Sequence, residues 1–71
     1  MANATIGITV NGASEQVAAG TTVAQLLAHM DTAGKRVAVE RNGEIVPKSR
    51  HGETVLAADD RLEVVIAVGG G

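Results

Sequence analysis

The chain has 71 residues, a formal net charge of −2, and no Phe, Tyr, Trp or Cys. That length allows one domain, in which about 60 % of the unfolded surface is buried on folding, and the core must be aliphatic. Without Cys there are no disulfides, thiolate metal sites or cysteine nucleophile; six scattered basic residues with no aromatic to stack a base exclude the usual nucleic-acid surfaces; and no stretch approaches the roughly 20 apolar residues of a membrane span.

The first residues, Met1-Ala2-Asn3-Ala4-Thr5, lack the basic start and apolar run of a signal peptide, and a cysteine-free chain fits a reducing cytoplasm. Residues 1–6 read as a flexible leader. Ile6, Ile8 and Val10 nevertheless alternate with Gly7 and Thr9, the period of a half-buried strand. Asn11-Gly12 is a hairpin signal, because both residues tolerate positive φ. A second short strand is expected near Glu15–Ala18, with Val17 inward, ended by Gly20.

Thr22 is a candidate N-cap, and Gln25 three residues later completes a capping box. Val23, Leu26, Leu27 and Met30 then form one apolar stripe of a helix, with Gly34 as its expected terminator. Val37 and Val39 mark a third strand, and Asn42-Gly43 a second hairpin turn. Glu44-Ile45-Val46 is a short edge strand limited by Pro47. Lys48 to Thr54 is polar and irregular, and Val55 and Leu56 are expected to anchor it in the core. Asp59-Asp60 reads as a turn rather than a catalytic carboxylate pair, because Asp bonds local backbone readily. Arg61 to Val68 is the last strand, with Leu62, Val64 and Ile66 inward.

This order predicts an α+β, β-grasp (ubiquitin-like) domain over residues 1–71. A mixed sheet of about five strands carries one packed helix, with the last strand central beside the first.

The chain closes on Val68-Gly69-Gly70-Gly71. Glycine has no Cβ, so such a tail passes through a channel that side chains would block. Three extended residues carry the terminal carboxylate roughly 10 Å beyond the fold. With a reference pKa of about 3.3–3.7, that carboxylate is ionised and a poor electrophile. Conversion to an acyl-adenylate with ATP would activate it for a sulfur or an amine nucleophile. Taken by themselves, the glycines at 69–71 read equally well as a frayed, mobile end.

Other candidates are weaker. His29 on the helix and His51 in the irregular segment have no Ser or Cys at a recognisable spacing, so surface or packing roles are expected of both. Glu40, Arg41 and Glu44 around the second turn are expected to form charge pairs of little weight. Glu63 points outward between two inward residues and reads as solvated. The same alternation puts Val65 and Ala67 on the outer side, with Ala38 joining them. That group reads either as a docking patch beside the tail or as scattered surface apolarity.

Four stretches carry a resemblance: Thr9-Val10-Asn11-Gly12, Thr22 to Leu27, Arg36 to Ser49, and Asp60 to Val65 together with Val68-Gly69-Gly70-Gly71. Together they resemble the ThiS family of sulfur carrier proteins of thiamine biosynthesis, over nearly everything from Ile8 onward. The family usually has Gly-Asp where this chain has Asp59-Asp60, an aromatic where it has His51, and a shorter start than Met1 to Gly7. Asp tolerates the left-handed conformation, so the turn is expected to survive.

The resemblance implies a carrier rather than an enzyme, holding no cofactor or metal itself. A ThiF-type adenylyltransferase uses ATP to activate Gly71, with Gly70 as the spacer. A persulfide sulfur donor then supplies sulfur, leaving a thiocarboxylate for a ThiG-type thiazole synthase. Val65, Ala67 and Ala38 become candidates for the partner-docking face. A carrier for a molybdopterin-type pathway and a ubiquitin-like protein modifier share the tail chemistry and stay open as alternatives.

Overall fold

Two Asn-Gly turns frame the sheet. Asn11 and Gly12 have φ of 50° and 84°, and Asn42 and Gly43 have φ of 52° and 86°, the left-handed pair that joins adjacent antiparallel strands tightly. The computed structural model describes residues 4–30, 32 and 35–67. Its strands are β1 (Thr5–Val10), β2 (Ala13–Ala18), β3 (Arg36–Arg41), β4 (Glu44–Val46) and β5 (Arg61–Ala67). One helix, α1 (Val23–His29), lies between β2 and β3, and a 3₁₀ turn, Lys48–Arg50, follows β4.

The sheet order is β2-β1-β5-β3-β4. Both hairpins are antiparallel, β5 is antiparallel to β3, and β5 is parallel to β1. The last strand is therefore central, as expected, and the sheet is mixed. β1 begins at Thr5, earlier than the leader reading of residues 1–6 allowed. Thr5 pairs with Ala18 and Ile6 with Val17, because the alternation of Ile6 with Ile8 and Val10 extends the hairpin by these two pairs. Residues 1–3 lie outside the described residues, as do Gly34 and residues 68–71.

Helix α1 forms where the capping box puts it. Thr22 Oγ1 accepts from Gln25 N at 3.2 Å, and Thr22 N donates back to Gln25 Oε1 at 2.9 Å. Its next donors are met from the segment after β4, where Val23 N reaches Thr54 O at 3.0 Å and Ala24 N reaches His51 O at 2.9 Å. The helix ends at His29, sooner than the Gly34 terminator implied. Met30 N turns back to Leu27 O, and the buried Thr32 hydroxyl donates to the same carbonyl at 2.9 Å, so a side chain closes the helix before any glycine is reached.

Val23, Leu26 and Leu27 pack on Ile8, Val10, Val39, Leu62 and Val64, and Leu56 joins them. Met30, Val17 and Ile66 are partly buried at the edge of this cluster. Val55 is exposed, contrary to the expectation that it anchors the loop. It bridges Thr22 through backbone, which turns its side chain away from the one Leu56 occupies.

Asp60 is the buried charge, at 5 % exposure. Its carboxylate accepts from Arg41 Nε at 2.7 Å, Asn42 Nδ2 at 3.0 Å and Ala57 N at 2.8 Å. Arg41 thus pairs across the turn with Asp60, not with Glu40 or Glu44 as its neighbours in sequence suggested. Burial alone pushes the Asp60 pKa up and is the largest single influence. The Ala57, Arg41 and Asn42 donors, with the Arg41 charge, together outweigh it and hold the carboxyl below its usual range.

Leu27→Ala is expected to cost about 2–5 kcal/mol, since a buried leucine leaves a cavity in a core that has no large neighbour to fill it. Urea unfolding checks this, and a variant as stable as the parent rules the packing out.

The depressed Asp60 pKa sets an acid limit. Its contribution is present above the unfolded value, about 3.9, and is lost as pH falls through the lower folded value. Asp60→Asn should be roughly 1–3 kcal/mol less stable at pH 7, and its stability should fall less steeply between pH 5 and pH 2 than the parent's. Parallel acid-limb slopes would show that Asp60 is not the titrating group.

Candidate functional site

Helix α1 covers one side of the sheet and leaves the other open. Residues paired across neighbouring strands share a face, so the register lays out this open side row by row. Val65 lies opposite Ala38, Ala67 opposite Arg36, and Glu63 opposite Glu40. Glu40 is in turn opposite Ile45 of β4. Arg61 and Thr9 share the next row. Val65, Ala67 and Ala38 are all exposed, so the three candidate docking residues come together on one surface, Val65 and Ala38 as direct cross-strand neighbours.

The face is larger than the sequence reading made it. Ile45 is 69 % exposed and Val65 63 %, and both belong to it. The signal for Ile45 was present: in a three-residue strand with Val46 inward, the residue before it points out. The signal for Glu40 beside Glu63 was absent, because it depends on the β3–β5 register.

β5 is held in that register from both sides. On one side Asn11 carries the ladder past the end of β1. Its Oδ1 accepts from Val64 N at 2.7 Å, and its Nδ2 donates to Val64 O at 3.1 Å, so a carboxamide replaces a backbone unit. On the other side Asn42 Oδ1 accepts from Arg61 N at 2.9 Å, and Asn42 N donates to Arg61 O at 2.7 Å. The strand that ends at Ala67, four residues before Gly71, is thus held on both sides by asparagine side chains as well as by its neighbours.

Gly70 and Gly71 lie outside the described residues. Among the described residues no group of three or more His, Cys, Asp or Glu is placed to hold a metal ion. His29 is exposed on α1. His51 is buried, and its Nε2 donates to Val46 O at 3.1 Å, which ties the loop after β4 to the strand. Both positions are those of ordinary surface and packing histidines.

Comparison with known proteins agrees with this geometry. A thiamine biosynthesis protein (ThiS) from Geobacter metallireducens superposes with a TM-score of 0.77 at 32 % identity, covering 93 % of this chain and all of that one. The sulfur carrier protein ThiS of Bacillus subtilis is 46 % identical over 50 residues, 70 % of this chain and 76 % of that protein. A thiazole synthase of Paramagnetospirillum magneticum is 41 % identical over 64 residues, 90 % of this chain, of which the chain spans only 20 %. The ThiS family profile matches residues 7–71, from the middle of β1 through the last glycine. A match of that extent, on a sheet of the same topology, makes the chain a member of the ThiS family.

Proposed function

We propose that this chain is a sulfur carrier for thiazole formation in thiamine biosynthesis, with Gly71 as the residue that is charged. The observation that carries the reading is the family match running through the terminal glycines, on a fold whose central strand leads to them. An adenylyltransferase of the ThiF type would join the Gly71 carboxylate to the α-phosphate of ATP, releasing pyrophosphate. The terminal sulfur of a persulfide donor attacks that acyl carbon and AMP leaves. A thiol then cleaves the sulfur–sulfur bond, and the thiocarboxylate is free. The chain is a co-substrate in this scheme and binds no cofactor.

The acceptor is best read as a thiazole synthase of the ThiG type. Two curated proteins named thiazole synthase contain a segment like this chain, and the matched segment is 20 % of each. Covalent linkage of that kind suits two components that work on one intermediate. A reducing cytoplasm is the compartment in which a thiocarboxylate of this sort would persist.

Reach is the demanding part. Four extended residues span at most about 14 Å, so the body must dock close to the adenylating centre. The exposed Val65–Ala38 pair with Ala67 supplies the docking patch. Val65→Asp should weaken binding to the purified adenylating enzyme by roughly tenfold or more, the scale of placing an unpaired charge in an apolar contact, with unfolding unchanged. An unchanged titration would remove the patch.

Deleting Gly71 leaves a glycine carboxylate but shortens the reach by about 3.3–3.6 Å. Near-attack geometry requires reacting atoms within about 3–3.5 Å, so adenylation should stop. Gly70→Val should fail by placing a branched side chain in the channel. Both variants should fold as the parent does. Intact-protein mass spectrometry after incubation with ATP, the adenylating enzyme and a sulfur donor decides: the parent should exchange one oxygen for sulfur in its C-terminal peptide. Charging of the truncated chain at the parent's rate, or a modification mapping elsewhere, would refute the carrier reading, and an isopeptide adduct to lysine would favour a protein modifier instead.

A further inference from the structure

The open face carries an unfavourable arrangement that a free protein has no use for. Glu40 and Glu63 are direct cross-strand partners on it, both exposed, with Cβ atoms about 4.5–5.5 Å apart by the geometry of such pairs. Like charges in that position repel. Among the described residues the one ion pair is Arg41–Asp60, on the other side of the sheet, so neither glutamate is neutralised by a contact there. Arg61, two residues before Glu63 on the same face of β5, is about 7 Å along the strand. Arg36 lies beyond the Ala38–Val65 row, opposite Ala67. The two carboxylates have aliphatic side chains on two sides, Ile45 beside Glu40 on one edge and the Ala38–Val65 row next along the strands, and on the third they share a shallow hollow with Thr9 and Arg61.

We infer that this face is built for a partner surface that presents a basic side chain, arginine before lysine, among aliphatic residues. The cation sits between Glu40 and Glu63, and the aliphatic groups cover Ile45, Ala38 and Val65. A planar guanidinium can donate to two carboxylates at once, which a compact ammonium does less well. The repulsion stored in the free chain is relieved on docking, so the pair discriminates between partners more than it adds to the fold. The inference takes its partner, the adenylating enzyme, from the carrier reading above and adds the chemistry by which that partner is recognised.

The test titrates the full chain against the purified adenylating enzyme at about 50 mM and about 300 mM salt, concentrations over which surface charge pairs are progressively screened. Three chains are compared: the parent, Glu40→Gln/Glu63→Gln, and Glu63→Lys. The double variant should bind roughly tenfold more weakly than the parent at low salt and lose most of the parent's salt dependence. Glu63→Lys should bind more weakly still. Thermal unfolding of the same samples should show the double variant at least as stable as the parent.

Equal affinity of parent and double variant, with the salt dependence intact, overturns the cation contact. That outcome leaves the carrier reading standing, since the Val65→Asp titration and the mass of the charged chain test it separately. Weaker binding accompanied by a loss of stability overturns it as well, because the glutamates would then be supporting the fold. A parent dimer in sedimentation that Val65→Asp abolishes would assign the face to a second copy of the chain, again against the inference.

Discussion

The register of β5 is the constraint on which the rest depends, and Asp60 fixes its start. A carboxylate at 5 % exposure is tolerated only when its oxygens are paired. Its three donors come from β3, the second Asn-Gly turn and the approach to β5 itself. If β5 slipped by one residue, Leu62 and Val64 would exchange faces with Glu63 and Val65. The core would lose two of its buried residues, and the open face would lose its apolar centre. Asn11 and Asn42 guard against that slip from either side, each engaging both the N–H and the C=O of one β5 residue.

Because the core has no aromatic side chain, it depends on many small aliphatic contacts rather than a few large ones. Helix α1 has seven residues, too few to be stable alone. Its capping box, the Thr32 hydroxyl at its end and the backbone acceptors at His51 and Thr54 make up for its length. The irregular segment after β4 is therefore structural: it satisfies the helix start and sends Leu56 into the core.

What was legible in the sequence was whatever short-range chemistry specifies. The capping box at Thr22, both Asn-Gly turns and the alternation along β5 appear where their residue types require them. Asp59 takes φ of 70°, the left-handed conformation expected of a turn residue there. What was not legible depends on partners distant in sequence. Arg41 has glutamates beside it, yet Asp60 captures it, because the β3–β5 pairing brings position 60 under the turn. Val55 and Leu56 look alike as apolar neighbours, and only the bridge to Thr22 decides which is buried. Thr32 carries no motif that marks it as the close of a helix.

The composition of the open face also bears on how a partner can approach. A sheet covered on one side usually solvates the other with long polar side chains. Here the row at Val65 has Ala38 opposite it and the last row sets Ala67 against Arg36, while Thr9 of β1 lies beside Arg61 at the start of β5. Ala38, Val65 and Ala67 have short side chains, and Arg36 is the long one among them. Over Ala38, Val65 and Ala67 a second body can come near the backbone of β5. Under the proposed function, the four residues after Ala67 would need that closeness, since any bulk between the bodies is subtracted from a reach of at most about 14 Å. On the proposed carrier reading, small residues at positions 38 and 67 would serve delivery as the glycines would. The longer side chains that would solvate the face better would also hold the partner away.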